Sequence, residues 1–342
     1  MEFKYRNYNQ LAPHLYASLR IDGVRAPSRN GEVIRLPGVN TLVVDRPWER
    51  VNFSPVRDAN PFFHLMEAMA MLVPFNSAPF LAHFAKNMLA FTDDGQRYNG
   101  FYGERLRQTW GDQLDMIIAE LRENPTSRQC VAQIWDPSDL RKKTKDKACN
   151  LMLLFSVVDG LLEMTSFNRS NDAVWGIATG ANVVHMSFFQ EYVANSLGYP
   201  MGSWSHVSNN LHVYLDNPKT AALLEDPNTY DLYSAVTAPH VPLMGSPRHH
   251  GTFSTVLTSL IARLEQCRIA ETTLLIDRES PLVKAYPFLF GTVVPVFNAW
   301  QLHKSGHNES VYTALEQVES ADWRMACTRW MLRRHAKVGG AK

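Results

Sequence analysis

Apolar residues recur at helical spacing in NPFFHLMEAMAMLVP (60–74), where Phe62, Met66, Met69 and Val73 share one face and Pro61 stands in the first turn. The spacing predicts a helix, with the carboxylate of Glu67 set oddly beside that apolar face. A second helix is expected over 111–124 from Leu114, Ile117, Ile118 and Leu121, stopped by Asn124-Pro125. QCVAQIW (129–135) reads as strand. Residues 150–168 read as a hairpin in which Asp159-Gly160 turns NLMLLFSVV back into LLEMTSFN. Both strands are apolar on both faces, which predicts a sheet covered on two sides. A long helix follows over 182–197, closed by Gly198 and Pro200, and SWSHVSNNLHVYLD (203–216) returns to strand. The C-terminal part is mixed and then helical; ADWRMACTRWMLRRHAK carries basic residues suited to a helix C-terminus. The expected class is α+β.

The 342 residues suffice for one large domain, and a hydrophobic share of 45% against 20% charged residues is ordinary for a protein with a real core. Lys and Arg (34) balance Asp and Glu (33), so no nucleic-acid surface is built from bulk basicity. The four cysteines (Cys130, Cys149, Cys267, Cys327) form no C-x-x-C pair, which argues against a disulfide framework or a zinc ribbon and for free thiols. The N-terminal stretch MEFKYRNYNQ lacks the apolar core of a signal peptide, and no window reaches the ~18 apolar residues of a membrane span. A soluble, cytoplasmic protein is expected, with no metal and no membrane.

Cys149 stands directly before the first hairpin strand, and Arg169-Ser170-Asn171-Asp172 follows the second. A hairpin returns the chain to its start, so Cys149 and Arg169 should be neighbours. A guanidinium beside a thiol favours thiolate and offers a fork for phosphate. The alternative is a buried structural cysteine.

The stretch KDKACN…DGLLEMTSFNRSNDAVWG resembles the core of the thymidylate synthase superfamily, which includes folate-dependent pyrimidine nucleotide hydroxymethylases. Further resemblances follow in chain order. APSRNGEVIRLPG resembles the phosphate-binding loop and points to Arg29; NPFFHLMEAMAML resembles the helix of the catalytic glutamate and points to Glu67. FYGERLR resembles the tyrosine-glycine motif at Tyr102-Gly103. ENPTSRQCVAQIWDP resembles the segment that reaches a dimer partner's phosphate, here through Arg128. SNNLHVY resembles the ribose-binding pair, here His212 and Tyr214. The resemblance runs from about 26 to 216. It implies a thymidylate synthase-like mixed sheet flanked by helices, a catalytic domain over 1–240, and a C-terminal helical extension over 241–342 packed on it.

The resemblance also implies a chemistry. The Cys149 thiolate adds to C6 of a pyrimidine nucleoside monophosphate, which makes C5 nucleophilic toward the one-carbon unit of 5,10-methylenetetrahydrofolate. Arg29, Arg169 and Ser170, with Arg128 from the other subunit of a homodimer, would hold the phosphate; binding there positions the base. Glu67 would relay protons with Tyr102 and Asn150 nearby, and Asp172 matches the residue that contacts the pterin. The family's base reader is an asparagine for uracil and an aspartate for cytosine. Counting back from His212 lands on Asn182, counting forward from Asp172 on Gly180; Asn182 aligns the following helix without gaps and matches uracil O4 and N3–H. Ser170 matches deoxynucleotide users, so dUMP is favoured over a ribonucleotide.

Four departures favour water over hydride as the quencher of the C5 methylene. Ala148-Cys149-Asn150 replaces proline-cysteine-histidine, RSNDAVWG is closer to the hydroxymethylases, and the sequence ends in RRHAKVGGAK rather than a short apolar tail. The tryptophan beside the methylene has no counterpart. The expected product is 5-hydroxymethyl-dUMP; the alternatives are thymidylate synthesis, dCMP hydroxymethylation, and a nucleotide- or RNA-binding homologue without turnover. Plainer readings stand beside these. Glu67 taken alone reads as a solvated helix edge, Met66, Met69 and Met71 as core filling, and His249-His250 as a loop or helix start. RKKTKDK (141–147) reads as a solvated loop that could steer anions, and His185 and His206 as satisfied structural histidines.

Overall fold

Two β-sheets organise the chain in the computed structural model, which describes residues 1–226, 231–235 and 239–339. The described strands are β1 (Glu2–Tyr5), β2 (Val24–Ser28), β3 (Gly31–Arg35), β4 (Asn40–Val44), β5 (Val131–Gln133), β6 (Asn150–Val158), β7 (Leu161–Asn168), β8 (Asn171–Asp172), β9 (Met201–Ser208) and β10 (Leu211–Tyr214). The described helices are α1 (Tyr8–Asp22), α2 (Pro61–Leu72), α3 (Ala78–Phe84), α4 (Tyr102–Arg107), α5 (Gln113–Glu123) and α6 (Ala181–Leu197). After them come α7 (Pro218–Glu225), α8 (His250–Ile269), α9 (Pro281–Ala285), α10 (Val294–Lys304), α11 (Asn308–Glu316) and α12 (Ala321–Gly339).

The larger sheet has the order β1-β4-β9-β7-β6-β5, with β1–β4 and β9–β7 parallel and the other pairs antiparallel. The smaller has the order β2-β3-β10-β8. The strand expected over 203–216 is therefore two strands in two sheets. The chain breaks at Asn209-Asn210, where Asn209 donates to Asn168 O (3.0 Å) and Asn210 O accepts from Asn171 (2.8 Å). Composition hides this, because Trp204 and Val207 before Asn209-Asn210 and Leu211, Val213 and Tyr214 after it keep the run strand-like on both sides. The hairpin forms with Asn150 opposite Asn168, and its register shifts between Asn150 and Met152, a bulge immediately after Cys149.

The larger sheet is covered on one side within the chain, not two. Leu153, Phe155, Leu162, Met164, Ser166 and Trp204 are buried toward the helices, whereas Met152, Leu154, Thr165, Phe167 and Val207 on the opposite face stay half-buried. Helix α2 starts as its sequence predicts: Asn60 Oδ1 accepts from Phe62 N (3.0 Å) and Phe63 N (3.2 Å), with Pro61 in the first turn. All of α2 is buried, not one face, because α6 lies on one side and α8, α10 and α12 on the other. Phe62 packs on Trp300 (5.3 Å) and Trp330 (5.6 Å), and Arg333 and Arg334 both bind Asp58 just before α2. The C-terminal helices thus back the helix that carries Glu67, which is 6% exposed rather than a solvated edge. No described helix is long and apolar enough to cross a membrane.

Candidate active site

Hairpin geometry brings Cys149 and Arg169 together, as the spacing predicts. Arg169 N donates to Cys149 O (3.0 Å), and Arg169 Nη2 lies 3.7 Å from Cys149 Sγ. The guanidinium is held by Ala148 O (2.9 Å) and Lys147 O (3.1 Å) and sits over the Trp135 ring (5.6 Å). Cys149 is half-buried, so the cysteine is not sealed in the core. Burial pushes its thiol up, the positive charges of Arg169 and Arg29 pull it back, and the carboxylate of Asp146 adds to the rise. The net direction is upward, so the guanidinium moderates the thiol without making it a resting thiolate.

Arg29 occupies the turn between β2 and β3, whose ladder closes at Ser28 and Gly31. It is exposed and makes one side-chain hydrogen bond among the described residues, to Asn30 Oδ1 (3.3 Å), and its charge bears on the Cys149 thiol. Ser170 follows Arg169, and its N–H donates to Asn168 Oδ1 (2.7 Å); Asn168 Nδ2 in turn donates to Asn150 Oδ1 (3.1 Å). Arg128 lies on the exposed loop before β5 and has no polar partner among the described residues, so within one chain it stands apart from this group.

Tyr102 opens α4 next to the cysteine. Burial and the nearby Cys149 keep its phenol protonated, and Asn150 lies against the hydroxyl. Gly103 explains the placement: a Cβ there would come within 2.6 Å of Met71 O and 2.7 Å of Val73 O, so only glycine lets α4 rest on the end of α2. Glu67 on α2 faces His185 on α6, with Oε2 and Nδ1 3.5 Å apart, and the His185 ring meets Tyr102 edge-on at 5.4 Å. Asn182 sits one turn before His185 on α6, half-buried, without a side-chain hydrogen bond among the described residues. A side chain at 180 is excluded, because a Cβ on Gly180 would run into the backbone of Trp175 and Gly176.

The smaller sheet supplies a second group. β10 pairs with β8 so that His212 lies opposite Asp172, and His212 packs edge-on against Tyr214 (5.0 Å). Burial lowers the imidazole of His212, whose Nδ1 faces Asn210 O and Oδ1 (3.3 and 3.2 Å). Asp172 accepts from Val174 N (2.7 Å), yet its buried Oδ2 has no partner, and burial raises its carboxyl to about 6. Beside it Arg57, itself buried, donates to Val174 O (2.7 Å) and stacks 4.2 Å over the half-exposed Trp175 ring. Sequence reasoning missed Arg57 and Trp175; the signal available was a tryptophan in a polar loop next to Asp172.

The two histidines read as structural part ways here. His206 is satisfied at both nitrogens, by Ser166 Oγ (2.8 Å) and Asn171 Nδ2 (2.9 Å). His185 is 3% exposed, and neither nitrogen is hydrogen-bonded among the described residues. His249 packs on Tyr286 and His250 on Tyr192; neither belongs to a metal-like cluster among the described residues.

The thymidylate synthase family model matches residues 81–232. The chain is 37% identical over 354 residues to the deoxyuridylate hydroxymethyltransferase of Pseudomonas phage M6, covering 99% of this chain and 96% of that one. It is 34% identical over 220 residues to the deoxyuridylate hydroxymethyltransferase of Bacillus phage SP01, covering 58% and 57%. Among solved structures, the thymidylate synthase from T4 phage matches with a TM-score of 0.50 at 18% identity, over 61% of this chain and 78% of its own, a likeness of fold.

Proposed function

The chain belongs to the thymidylate synthase family, and we propose that it transfers a hydroxymethyl group to C5 of dUMP through a covalent Cys149 adduct. Similarity to a deoxyuridylate hydroxymethyltransferase along nearly the whole chain, C-terminal helices included, carries the reading. The pairing of Cys149 Sγ with Arg169 at 3.7 Å supplies its chemistry.

The nucleotide's phosphate binds Arg169, Ser170 and Arg29, with Arg128 supplied by a second subunit packed on the uncovered face of the larger sheet. The phosphate neutralises part of the arginine charge, and its binding energy holds C6 of the base over Sγ. Cys149 forms a bond to C6, and the displaced π pair makes C5 a nucleophile. Asn182 reads O4 and N3–H of uracil, the role the sterically closed Gly180 cannot take. His212 and Tyr214 face the sugar.

The one-carbon unit comes from 5,10-methylenetetrahydrofolate, a co-substrate that supplies an electrophilic carbon. The orphaned Asp172 Oδ2 and the Trp175 ring braced by Arg57 suit a heteroaromatic ligand rich in N–H donors. Glu67 relays protons to the base, and Tyr102 and Asn150 hydrogen-bond beside it. The extension over 241–342 packs on the catalytic domain over 1–240, and its helices α8, α10 and α12 act as a buttress for α2. The proposed location is the cytoplasm, or the host cytoplasm for a phage-encoded enzyme.

Parallel assays with dUMP and dCMP, together with tritium release from C5-labelled nucleotide, test the reading. Turnover of dUMP with tritium release abolished in Cys149→Ser supports it. Release that persists in Cys149→Ser removes the nucleophile, and preference for dCMP removes Asn182 as a uracil reader.

A further inference from the structure

We propose that His185 takes the proton from the water that completes the hydroxymethyl group. This rests on the hydroxymethylation reading above and adds a residue to it.

His185 is a side chain out of place for a core histidine. It is 3% exposed, and among the described residues both ring nitrogens lack a hydrogen-bond partner, as does Glu67 Oε2 facing it across 3.5 Å. Buried imidazole nitrogens are nearly always bonded, so an orphaned pair marks a place where water or a ligand belongs. His206 shows what this fold does with a structural histidine: both nitrogens bonded, by Ser166 and Asn171.

The surroundings say what His185 is aimed at. Tyr102, next to Cys149 and Asn150, meets its ring edge-on at 5.4 Å, and Asn182 stands one turn before it on the same side of α6. From α2, Glu67 faces it, and Phe189 on its own helix closes the apolar side at 6.4 Å. A base read by Asn182 and bonded to Cys149 turns the edge bearing C4, C5 and the new exocyclic carbon toward this group.

Once the folate has left, the nucleotide carries an exocyclic C5=CH2 conjugated with C4=O. A water bonded to His185 attacks the CH2 carbon, the π pair moves through C5 to O4, and the water's proton goes to the free imidazole nitrogen. The O4 enolate then collapses: C4=O and C5=C6 re-form, and the C6–S bond breaks to release the Cys149 thiolate. The proton on His185 passes to Glu67 and solvent. Water supplies the oxygen, so no oxidant or reductant is needed. A positioned base of this kind contributes about 10²–10⁴-fold.

His185→Phe and His185→Gln, each checked for an unchanged thermal midpoint, separate this role from a structural one. The expected result is a fall of about 100-fold in hydroxymethyl product formation. A burst of tritium release from C5-labelled dUMP, one equivalent per active site, stays at the parent rate, because the earlier steps do not use His185. Added 2-mercaptoethanol then restores turnover by attacking the stranded methylene, giving a 5-thioether-methyl nucleotide. Product formation at the parent rate, or a burst slowed as much as turnover with no thiol adduct, overturns the assignment. A parent enzyme that makes dTMP and dihydrofolate refutes hydroxymethylation itself, and the parent control run beside the variants reads that separately.

Discussion

Replacing Arg169 with Met removes one charge beside the sulfur while keeping a side chain of similar length. The guanidinium lies 3.7 Å from Sγ. A unit charge at that distance is worth roughly 1 kcal/mol in water and about 4 kcal/mol at an effective dielectric of ~20. Both groups are partly exposed, so solvent screening selects the low end, about 1–2 kcal/mol, or roughly one pH unit. Burial already holds the thiol above its ordinary value, and removing the charge pushes it further the same way. The assay is iodoacetamide labelling of the Cys149 peptide followed by mass spectrometry against pH, which separates it from the buried Cys130 and Cys327. The inflection should move up by about one unit in Arg169→Met and stay in place in Arg169→Lys, which keeps the charge. An inflection that stays put or falls in Arg169→Met would refute the electrostatic coupling and, with it, the placement of an anion-binding guanidinium at the nucleophile.

Other expectations follow from separate parts of the fold. Asp172 has its carboxyl raised to about 6, so KM for the folate should rise as pH drops below about 6 while KM for dUMP stays flat, and Asp172→Asn should erase that slope. Glu191, fully buried against Arg50, is lowered to about 2; its stabilising contribution is present above the unfolded carboxylate's pKa and lost as pH falls toward 2. Glu191→Gln should flatten this acid limb and cost about 3–5 kcal/mol at neutral pH in urea unfolding, since Arg50 is left buried without its counter-charge. Mixed Arg128→Ala and Cys149→Ser subunits should regain activity that neither variant has alone; no rescue after subunit exchange contradicts the shared site. Trp300→Ala, which empties the contact between the C-terminal helices and Phe62, should lower stability by about 3–5 kcal/mol within a single unfolding transition. Two transitions would show that the extension folds apart from the catalytic unit.

The parts of the site legible in the sequence are those set by local rules. Asp159-Gly160 closes the hairpin, and its register alone puts Arg169 against Cys149. Asn60-Pro61 starts α2 where expected. What stayed hidden depends on contacts between distant segments. The burial of Glu67 comes from α6, a distant segment that sets His185 3.5 Å from its carboxylate, and no local pattern announces that packing. The break at Asn209-Asn210 follows from pairing with Asn168 and Asn171. His185 and His206 look alike in apolar contexts, and only their partners in three dimensions tell them apart.

In the proposed reaction water, not hydride, quenches the methylene on a nucleotide held at Cys149. Turnover of dUMP and methylenetetrahydrofolate in ¹⁸O-enriched water, followed by mass spectrometry of the product, tests it directly. A 5-hydroxymethyl nucleotide carrying the heavy oxygen, with tetrahydrofolate released, is the predicted result; dTMP with dihydrofolate, or a hydroxymethyl group without the label, would contradict it.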